Sequence, residues 1–353
     1  MEKTFLNNNS TTINQIPRYT VNERLKAIVV LFRPHQYYKN VLVFFGLFFS
    51  KNLFRVDLWF PMIMAFIILC LVSSLNYIIN DFRDREKDRH HPEKSYRPIP
   101  SGKVSSTEAF GLMFVLVVIT IGLVYLIPLT STQIILHTPQ IQEGEIFQEG
   151  RIIIPSKTAF FLVLVGLFVT SQLYSLLLKD IVFADIVTIS VNYVWRAIAG
   201  AVLITVSVSP WLIILCFITA MMLSLAKRKG DLAFLGTEAS KHKAVFTSYT
   251  PELLNQSLST ITAIEILAIF IYLIERHPKE TVFIVVALPL ITFLFFRFLY
   301  LISRNSVASR KAERLLLDKQ LMVTGIIIVV LFLIAIYFPN MLDNLLGIPD
   351  PVV

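Results

Sequence analysis

Residues 58–88 read LWFPMIMAFIILCLVSSLNYIINDFRDREKD, and two features of that stretch decide how the chain is built. From Leu58 to Asn80 it carries no charged side chain, which is long enough for the about 20 apolar residues that cross a bilayer as a helix. From Asp81 onward acids and bases alternate, so the helix leaves hydrocarbon there and enters water. Backbone polar groups in hydrocarbon must be satisfied within the segment, and a helix does this.

The same pattern recurs on both sides. Of the 353 residues, 55% are hydrophobic and only 16% charged, against about 25% charged in a soluble domain. The 28 Phe lie in long blocks with few charges. A soluble globular enzyme, a disordered chain, a coiled coil and a disulfide scaffold are all excluded. The pattern predicts nine spans, at 38–56, 58–80, 109–127, 158–178, 182–206, 211–226, 257–275, 281–301 and 322–339. The first is the weakest, because Lys51 and Arg55 interrupt its end. Cys70 and Cys216 sit in apolar stretches and read as small core residues. Met1 to Arg24 is polar and Asn-rich, without the apolar centre of a signal peptide, so targeting falls to the first span.

Positive charge sets the orientation, since Lys and Arg collect on the cytoplasmic side. With the amino terminus inside, 24 Lys and Arg fall on the cytoplasmic side and 6 outside. The expected architecture is an all-α integral membrane protein with a cytoplasmic segment 1–36, a transmembrane domain 37–340 and an outer tail 341–353. The loops 80–108 and 227–256 face the cytoplasm and 128–157 is an outer loop. Orientation in a membrane explains the +8 net charge without nucleic acid.

Asn80, Asp84 and Asp88 are spaced i, i+4, i+8, which places them on one face of a helix continuing past the membrane surface, with Asp81 beside them. Stacked oxygen-bearing side chains repel unless a cation neutralises them. Hard oxygen donors without Cys or His suit Mg2+, which keeps several waters and is completed by substrate phosphates. The alternative is a salt-bridged helix end in which Arg83, Arg85, Lys87 and Arg89 pair the acids. Basic groups follow at Lys94, Arg97 and Lys103. His90 and His91 point apart on a helix and read as surface residues.

Span 182–206 holds Asp185, Asn192 and Arg196. A charge at the membrane centre costs about 2.5–3.5 kcal/mol on insertion scales, so Asp185 and Arg196, on a shared face, need partners within the bundle. Asp185, nearer the cytoplasmic mouth, is the site candidate, and Arg196 a structural partner deeper in. Lys39, Lys179, Lys227 and Arg228 lie at the cytoplasmic interface, where snorkelling and phosphate contact both account for them. Arg297 snorkels.

Asn80-Asp81-x-x-Asp84-x-x-x-Asp88 followed by Arg97-Pro98-Ile99-Pro100-Ser101-Gly102 resembles the first signature of the UbiA superfamily of intramembrane prenyltransferases. The resemblance implies a nine-helix bundle, a Mg2+-dependent aspartate site facing the cytoplasm, and a lipid-facing portal for a polyprenyl chain. Within it the chain looks most like the decaprenyl-phosphate phosphoribosyltransferase branch. That likeness rests on Arg33-Pro34-His35-Gln36-Tyr37-Tyr38-Lys39-Asn40, on Tyr174-Ser175-Leu-Leu-Leu-Lys179 with Asp185, on Trp195-Arg196-Ala-Ile-Ala-Gly200, and on Ala226-Lys227-Arg228. In one respect the chain departs from the prenyltransferase pattern. Where a second Asp-x-x-x-Asp is usual after the sixth span, it reads Lys227-Arg228-Lys229-Gly230-Asp231. A basic pair holds phosphate oxygens directly, which suits one diphosphate and one monophosphate substrate. Where the branch often has Glu near Asp231, a metal or ribose role for Asp231 is left open.

The resemblance implies transfer of 5-phosphoribosyl from phosphoribosyl diphosphate to a polyprenyl phosphate, in envelope biosynthesis at the cytoplasmic membrane. Asp81, Asp84 and Asp88 would be catalytic, and Asn80, Asp84 and Asp88 would hold Mg2+. Gln36, Lys39, Arg83, Lys94, Arg97, Tyr174, Lys179, Asp185, Lys227 and Arg228 would contact substrates. Two other readings compete. One is a prenyltransferase moving a polyprenyl group from its diphosphate to an aromatic or other acceptor. The other is a transporter or scaffold, which suits the buried charges but leaves the stacked acids without a task. The signatures of a CDP-alcohol phosphatidyltransferase are not found.

Overall fold

The computed structural model describes residues 19–90, 94–128, 133–139, 149–236, 244–277, 280–304, 318–339 and 341–345. Thr20 opens the first helix, α1 (Val21–Phe32), with a capping box. Its hydroxyl accepts from the Glu23 amide and the Glu23 carboxylate accepts from the Thr20 amide, which satisfies two otherwise orphan donors. α1 stops at Arg33, whose φ is +53°, immediately before Pro34. The chain then winds as a 3-10 helix, Pro34–Phe44, into the short α2 (Phe45–Phe49).

The span expected at 38–56 is therefore not one α-helix. A 3-10 helix rises about 2.0 Å per residue and an α-helix about 1.5 Å, so residues 34–49 still reach about 30 Å, the thickness of a hydrocarbon core. A tight approach accompanies the narrower winding. A Cβ on Gly200 would lie 1.8 Å from the Val43 carbonyl oxygen, and one on Gly46 would lie 2.7 Å from the Ala201 amide nitrogen. Small residues let membrane helices meet backbone to backbone. Gly200→Ala is expected to destabilise the protein by at least about 1–3 kcal/mol, the range for overpacking. Chemical unfolding in detergent would measure it, and an unchanged stability would mean that the crossing is looser than described.

The charge-free run forms α3 (Val56–Arg83), and α4 (Arg85–Arg89) follows after a break at Asp84. Next come α5 (Ser106–Leu126), α6 (Ser156–Leu176), α7 (Ala184–Leu203), α8 (Pro210–Leu235), α9 (Pro251–Arg276), α10 (Thr281–Arg304), α11 (Lys319–Tyr337) and α12 (Met341–Leu345). Eight of them, α3 and α5 to α11, are long and apolar enough to cross a membrane. This is a multi-pass membrane protein. Exposed apolar side chains such as Phe114, Val118 and Val329 cover its flanks, the surface that lipid covers.

Burial is unequal among the spans: 61% of the apolar window is buried in α3 and in α7, but 17% in α11. α3 and α7 are thus the central helices, and they carry the acids and Arg196. Val43, Leu47, Met62, Leu69, Phe160, Leu167 and Leu203 pack the space between α3, α6 and α7. A second core, including Met222, Leu225, Leu254, Leu258 and Phe295, joins α8, α9 and α10.

The bundle is helical as expected, but two connections differ in detail. The loop expected at 128–157 contains an antiparallel hairpin. Its strands β1 (Gln133–Pro139) and β2 (Glu149–Pro155) pair from Gln133↔Pro155 to Pro139↔Glu149. Helical periodicity in the flanking spans carries no information about a strand pair in the connection between them. Lys227 to Asp231, expected in a loop, instead lie on the last turns of α8, which continues to Leu235. Gly230 is tolerated within the helix, which stops only at Gly236, whose φ is +52°.

Candidate active site

α3 delivers the acids to one end of the bundle. Asp84 caps it without ending the helical hydrogen bonding. The Asp84 amide donates to Asn80 O (2.9 Å) and the Asp88 amide to Asp84 O (2.8 Å), so the i, i+4, i+8 register survives the break. Their surroundings differ sharply. Asp81 and Asp88 are each 2% exposed, whereas the Asp84 side chain is 33% exposed.

The bases that meet the acids come from elsewhere in the chain, not from the neighbouring Arg83, Arg85, Lys87 and Arg89. Asp81 accepts from Arg33 Nη2 at 2.6 Å and from Arg97 Nη1 at 3.0 Å. The same Arg97 nitrogen donates to Asp88 Oδ2 at 2.7 Å, and Lys94 Nζ stands 3.8 Å from Asp88 Oδ1. Lys179, in the link between α6 and α7, places its ammonium 3.7 Å from Asp84 Oδ1. Burial pushes the Lys94 ammonium down from its ordinary range, against the raising effect of Asp88. The loop from Lys94 to Val104 is pinned in turn: the Tyr19 hydroxyl donates to the Ser101 carbonyl, and Gly102 takes φ +76°.

Arg33 has no assigned role in the sequence reading, yet it joins the cluster. Its left-handed backbone at the α1 end turns the chain, and its guanidinium lies 4.9 Å from the Tyr77 ring centroid while holding Asp81. Strained backbone at a non-glycine residue is a pointer to function. The sequence signal was there, an arginine directly before a proline ahead of a span.

The other expected contacts are scattered. Arg83 is exposed and donates to Gln172 Oε1 at 2.9 Å, while Gln172 donates to Asn76 Oδ1 at 2.6 Å. Gln36 and Lys39 are half-buried on the 3-10 helix, and the Lys39 ammonium is 5.9 Å from the Tyr38 ring. Lys227 is exposed and Arg228 is 4% exposed, as successive residues on a helix point about 100° apart. They do not act as a pair.

Arg228 instead donates through Nε to Asp185 Oδ2 at 2.7 Å, and its Nη2 lies 3.4 Å from the Tyr174 hydroxyl. Asp185, fully buried, also accepts from the Tyr249 hydroxyl at 2.8 Å; Tyr249 in turn accepts the Phe183 amide at 2.8 Å. Burial pushes the Tyr249 hydroxyl up, keeping it a donor. Arg228 therefore supplies the partner that Asp185 needs. Arg196 bonds Asn40 and the Asn192 carbonyl. Arg297 makes a two-point contact with Asp318 (3.1 and 2.7 Å) rather than merely snorkelling, and this contact holds the Asp318 carboxyl below its usual range.

Among the described residues no group of three His, Cys, Asp or Glu side chains is gathered tightly enough to hold a metal unaided. The donor set at α3 nonetheless fits Mg2+. Asn80 Oδ1 is buried without a hydrogen-bond partner, and a buried acceptor left unmade is costly. Beside it in register are Asp84, partly open, and Asp88. One amide and two carboxylates suffice for an ion that takes its remaining ligands from water and phosphate.

Comparison with known proteins agrees with this architecture. Residues 41–137 match the model of the UbiA prenyltransferase family. A decaprenyl-phosphate phosphoribosyltransferase of Corynebacterium glutamicum is 25% identical over 240 residues, covering 67% of this chain and 63% of that protein. One of Mycolicibacterium smegmatis is 26% identical over 239 residues, covering 66% and 64%. The match thus spans slightly less than two thirds of the length of either relative. A UbiA homologue of Archaeoglobus fulgidus, solved with DMAPP and Mg2+, superposes with a TM-score of 0.56 at 19% identity, covering 88% of this chain and 99% of that one. The bundle has the UbiA fold, and residues 41–137 match the model of that prenyltransferase family.

Proposed function

We propose that the protein is a transferase that moves 5-phosphoribosyl from phosphoribosyl diphosphate to a polyprenyl phosphate. The observation that carries this reading is the contrast between the two polar centres of the site. The α3 centre offers oxygen donors with an orphaned amide oxygen. The α8 centre, in place of a second acid pair, offers the exposed Lys227 and the half-buried Lys229, with the buried Arg228 held by Asp185 behind them. One metal-suited centre and one basic centre fit one diphosphate and one monophosphate. The relatives named decaprenyl-phosphate phosphoribosyltransferase support the same choice.

In this reading Asn80, Asp84 and Asp88 hold Mg2+, which when bound neutralises the departing diphosphate. Asp81 and Arg33 keep Arg97 and Asp88 in place. Lys94 and Lys179, now resting on Asp88 and Asp84, are within reach of the donor's phosphates, and Gln36, Lys39, Arg83, Tyr174 and Lys227 line the approach. An acceptor phosphate oxygen forms the bond to the anomeric carbon, and diphosphate leaves with the electron pair of the broken C–O bond. The acceptor oxygen is already ionised, so no base is required. In this reading residues 37–340 form the catalytic unit, and the distribution of Lys and Arg supports a site at the cytoplasmic face of the membrane.

A prenyltransferase using a prenyl diphosphate is the second reading, favoured by the family model over residues 41–137. One assay separates the two. The purified protein is given Mg2+, a polyprenyl phosphate and phosphoribosyl diphosphate labelled in the ribose. Label is expected in the organic phase and is expected to vanish with EDTA. Absence of label, with prenyl diphosphate consumed when an aromatic acceptor is supplied, would establish the second reading instead.

A further inference from the structure

We propose that Arg196 is the inner end of a phosphate-monoester subsite, reached from the aspartate cluster along a polar track between α3, α6 and α7. Among the described residues Arg196 and Arg228 are the two buried Lys or Arg side chains. Arg228 has a carboxylate at 2.7 Å, whereas Arg196, 8% exposed, has no carboxylate within 4 Å among the described residues. Its Nε donates to Asn40 Oδ1 at 2.8 Å, its Nη1 to the Asn192 carbonyl, and the Tyr193 ring lies 5.7 Å away.

A guanidinium has five N–H donors and does not lose its charge. It cannot escape the cost of burial by deprotonating, as a carboxylate does by taking up a proton, and an unmatched buried charge is strongly unfavourable. Asn40 Oδ1 and a backbone carbonyl offer dipoles but no charge. The missing component is an anion.

The surroundings show which anion and from where. Arg196 stands eleven residues beyond Asp185, about 17 Å along the α7 axis. Cys70, on α3, accepts from the side-chain amide of the same Asn40 at 3.3 Å, and Tyr77 stands about two turns farther along α3. Tyr77 carries Arg33 at 4.9 Å, and Arg33 holds Asp81. Asn192 Oδ1, one turn nearer the acids, accepts from Thr170 (2.6 Å) and Ser171 (3.3 Å), and Gln172 bonds Asn76. Hydroxyls and amides thus run from the acids toward Arg196, and the unmatched cation at the inner end favours an anion there. Guanidinium binds phosphate oxygens through its planar fork. The naming of sources rests on the proposed transfer, in which two phosphate monoesters occur, the 5-phosphate of the donor and the phosphate of the lipid acceptor.

The test uses the full-length protein in detergent, with ribose 5-phosphate and farnesyl phosphate as probes and calorimetric titration as the readout. Arg196→Gln is expected to weaken one of the two probes by about 30-fold or more, the scale for removing one partner of a buried charged contact. The probe affected names the source. Arg196→Lys, which keeps the charge and loses the fork, is expected to fall between. Asn40→Asp supplies a carboxylate in place, so it should raise the melting temperature while weakening the same probe, and it decides the matter if Arg196→Gln does not fold. Equal affinity of wild type, Arg196→Gln and Asn40→Asp for both probes would overturn the subsite and leave Arg196 as a link between the 3-10 helix and α7; so would failure of the wild type to bind either probe. If phosphate affinity depends on Arg196 yet no ribosyl transfer occurs, the subsite stands and the proposed reaction falls.

Discussion

Asp84→Asn is expected to lower kcat/KM for Mg2+-dependent transfer by about 10³-fold while leaving the melting temperature close to that of the wild type. The two halves of that result have separate causes. Asp84 is one third exposed and faces a single ammonium, Lys179, at 3.7 Å; an ion pair of that kind contributes about 0–1 kcal/mol. Its value to the proposed reaction is larger, because a fixed group that stabilises developing charge is worth about 10²–10³-fold or more in rate. Asp88→Asn should behave differently. That carboxylate is 2% exposed and held by Arg97 at 2.7 Å, so its loss leaves Arg97 with Asp81 alone and is expected to lower both activity and stability. Rates and melting curves on the two variants side by side check the distinction. Activity of Asp84→Asn within a few-fold of wild type would remove the acids from the chemistry and return the cluster to a salt-bridged helix end.

The largest expected loss of stability is at Asp185. Asp185→Ala leaves the buried Arg228 with only the more distant Asp231, 4.0 Å from its Nη1, as counter-charge and frees the Tyr249 hydroxyl that bridges Phe183 to it. Breaking a buried pair from one side costs about 3–5 kcal/mol, a large part of the about 5–15 kcal/mol that holds a typical folded protein together. The double variant Asp185→Leu with Arg228→Met removes both charges and should regain most of that loss, since replacing a buried pair with apolar side chains is often neutral. The pair also divides two roles for Arg228. If it only positions α7 against α8, the double variant folds and turns over. If it contacts the monophosphate, the double variant folds and does not. A double variant as unstable as Asp185→Ala would contradict the assignment of the pair as mutual partners.

Both predictions turn on partners that no local reading of the chain supplies. Arg83, Arg85, Lys87 and Arg89 are the bases nearest the acids in sequence, yet Asp81 and Asp88 are met by Arg33 and Arg97. Neighbours one to three residues apart on a surface helix point into water, where pairing gains little, whereas Arg33 and Arg97 arrive from segments that bury the acids as they meet them. Asp185 and Arg196 share a helix face and need partners within the bundle, but their spacing does not name those partners. Each side chain instead reaches across to a different neighbour, Arg228 on α8 and Asn40 on the 3-10 helix.

What the sequence alone determined was everything governed by solvent. Apolar runs the length of a bilayer form helices there, because no water is present to satisfy the backbone, and so eight spans fell where hydropathy put them, although α8 runs nine residues past its expected end and α9 begins six residues before its expected start. The Asn80, Asp84, Asp88 spacing likewise follows from helical geometry and survives a break in the helix. Tertiary structure alone decided that the segment 34–44 winds as a 3-10 helix against Gly200, which bases face which acids, and that Lys227 and Arg228 turn apart on α8. Those outcomes depend on distances between segments far apart in the chain. A buried charge is satisfied by whichever partner the packing brings within 3 Å, and periodicity along a single helix carries no information about that.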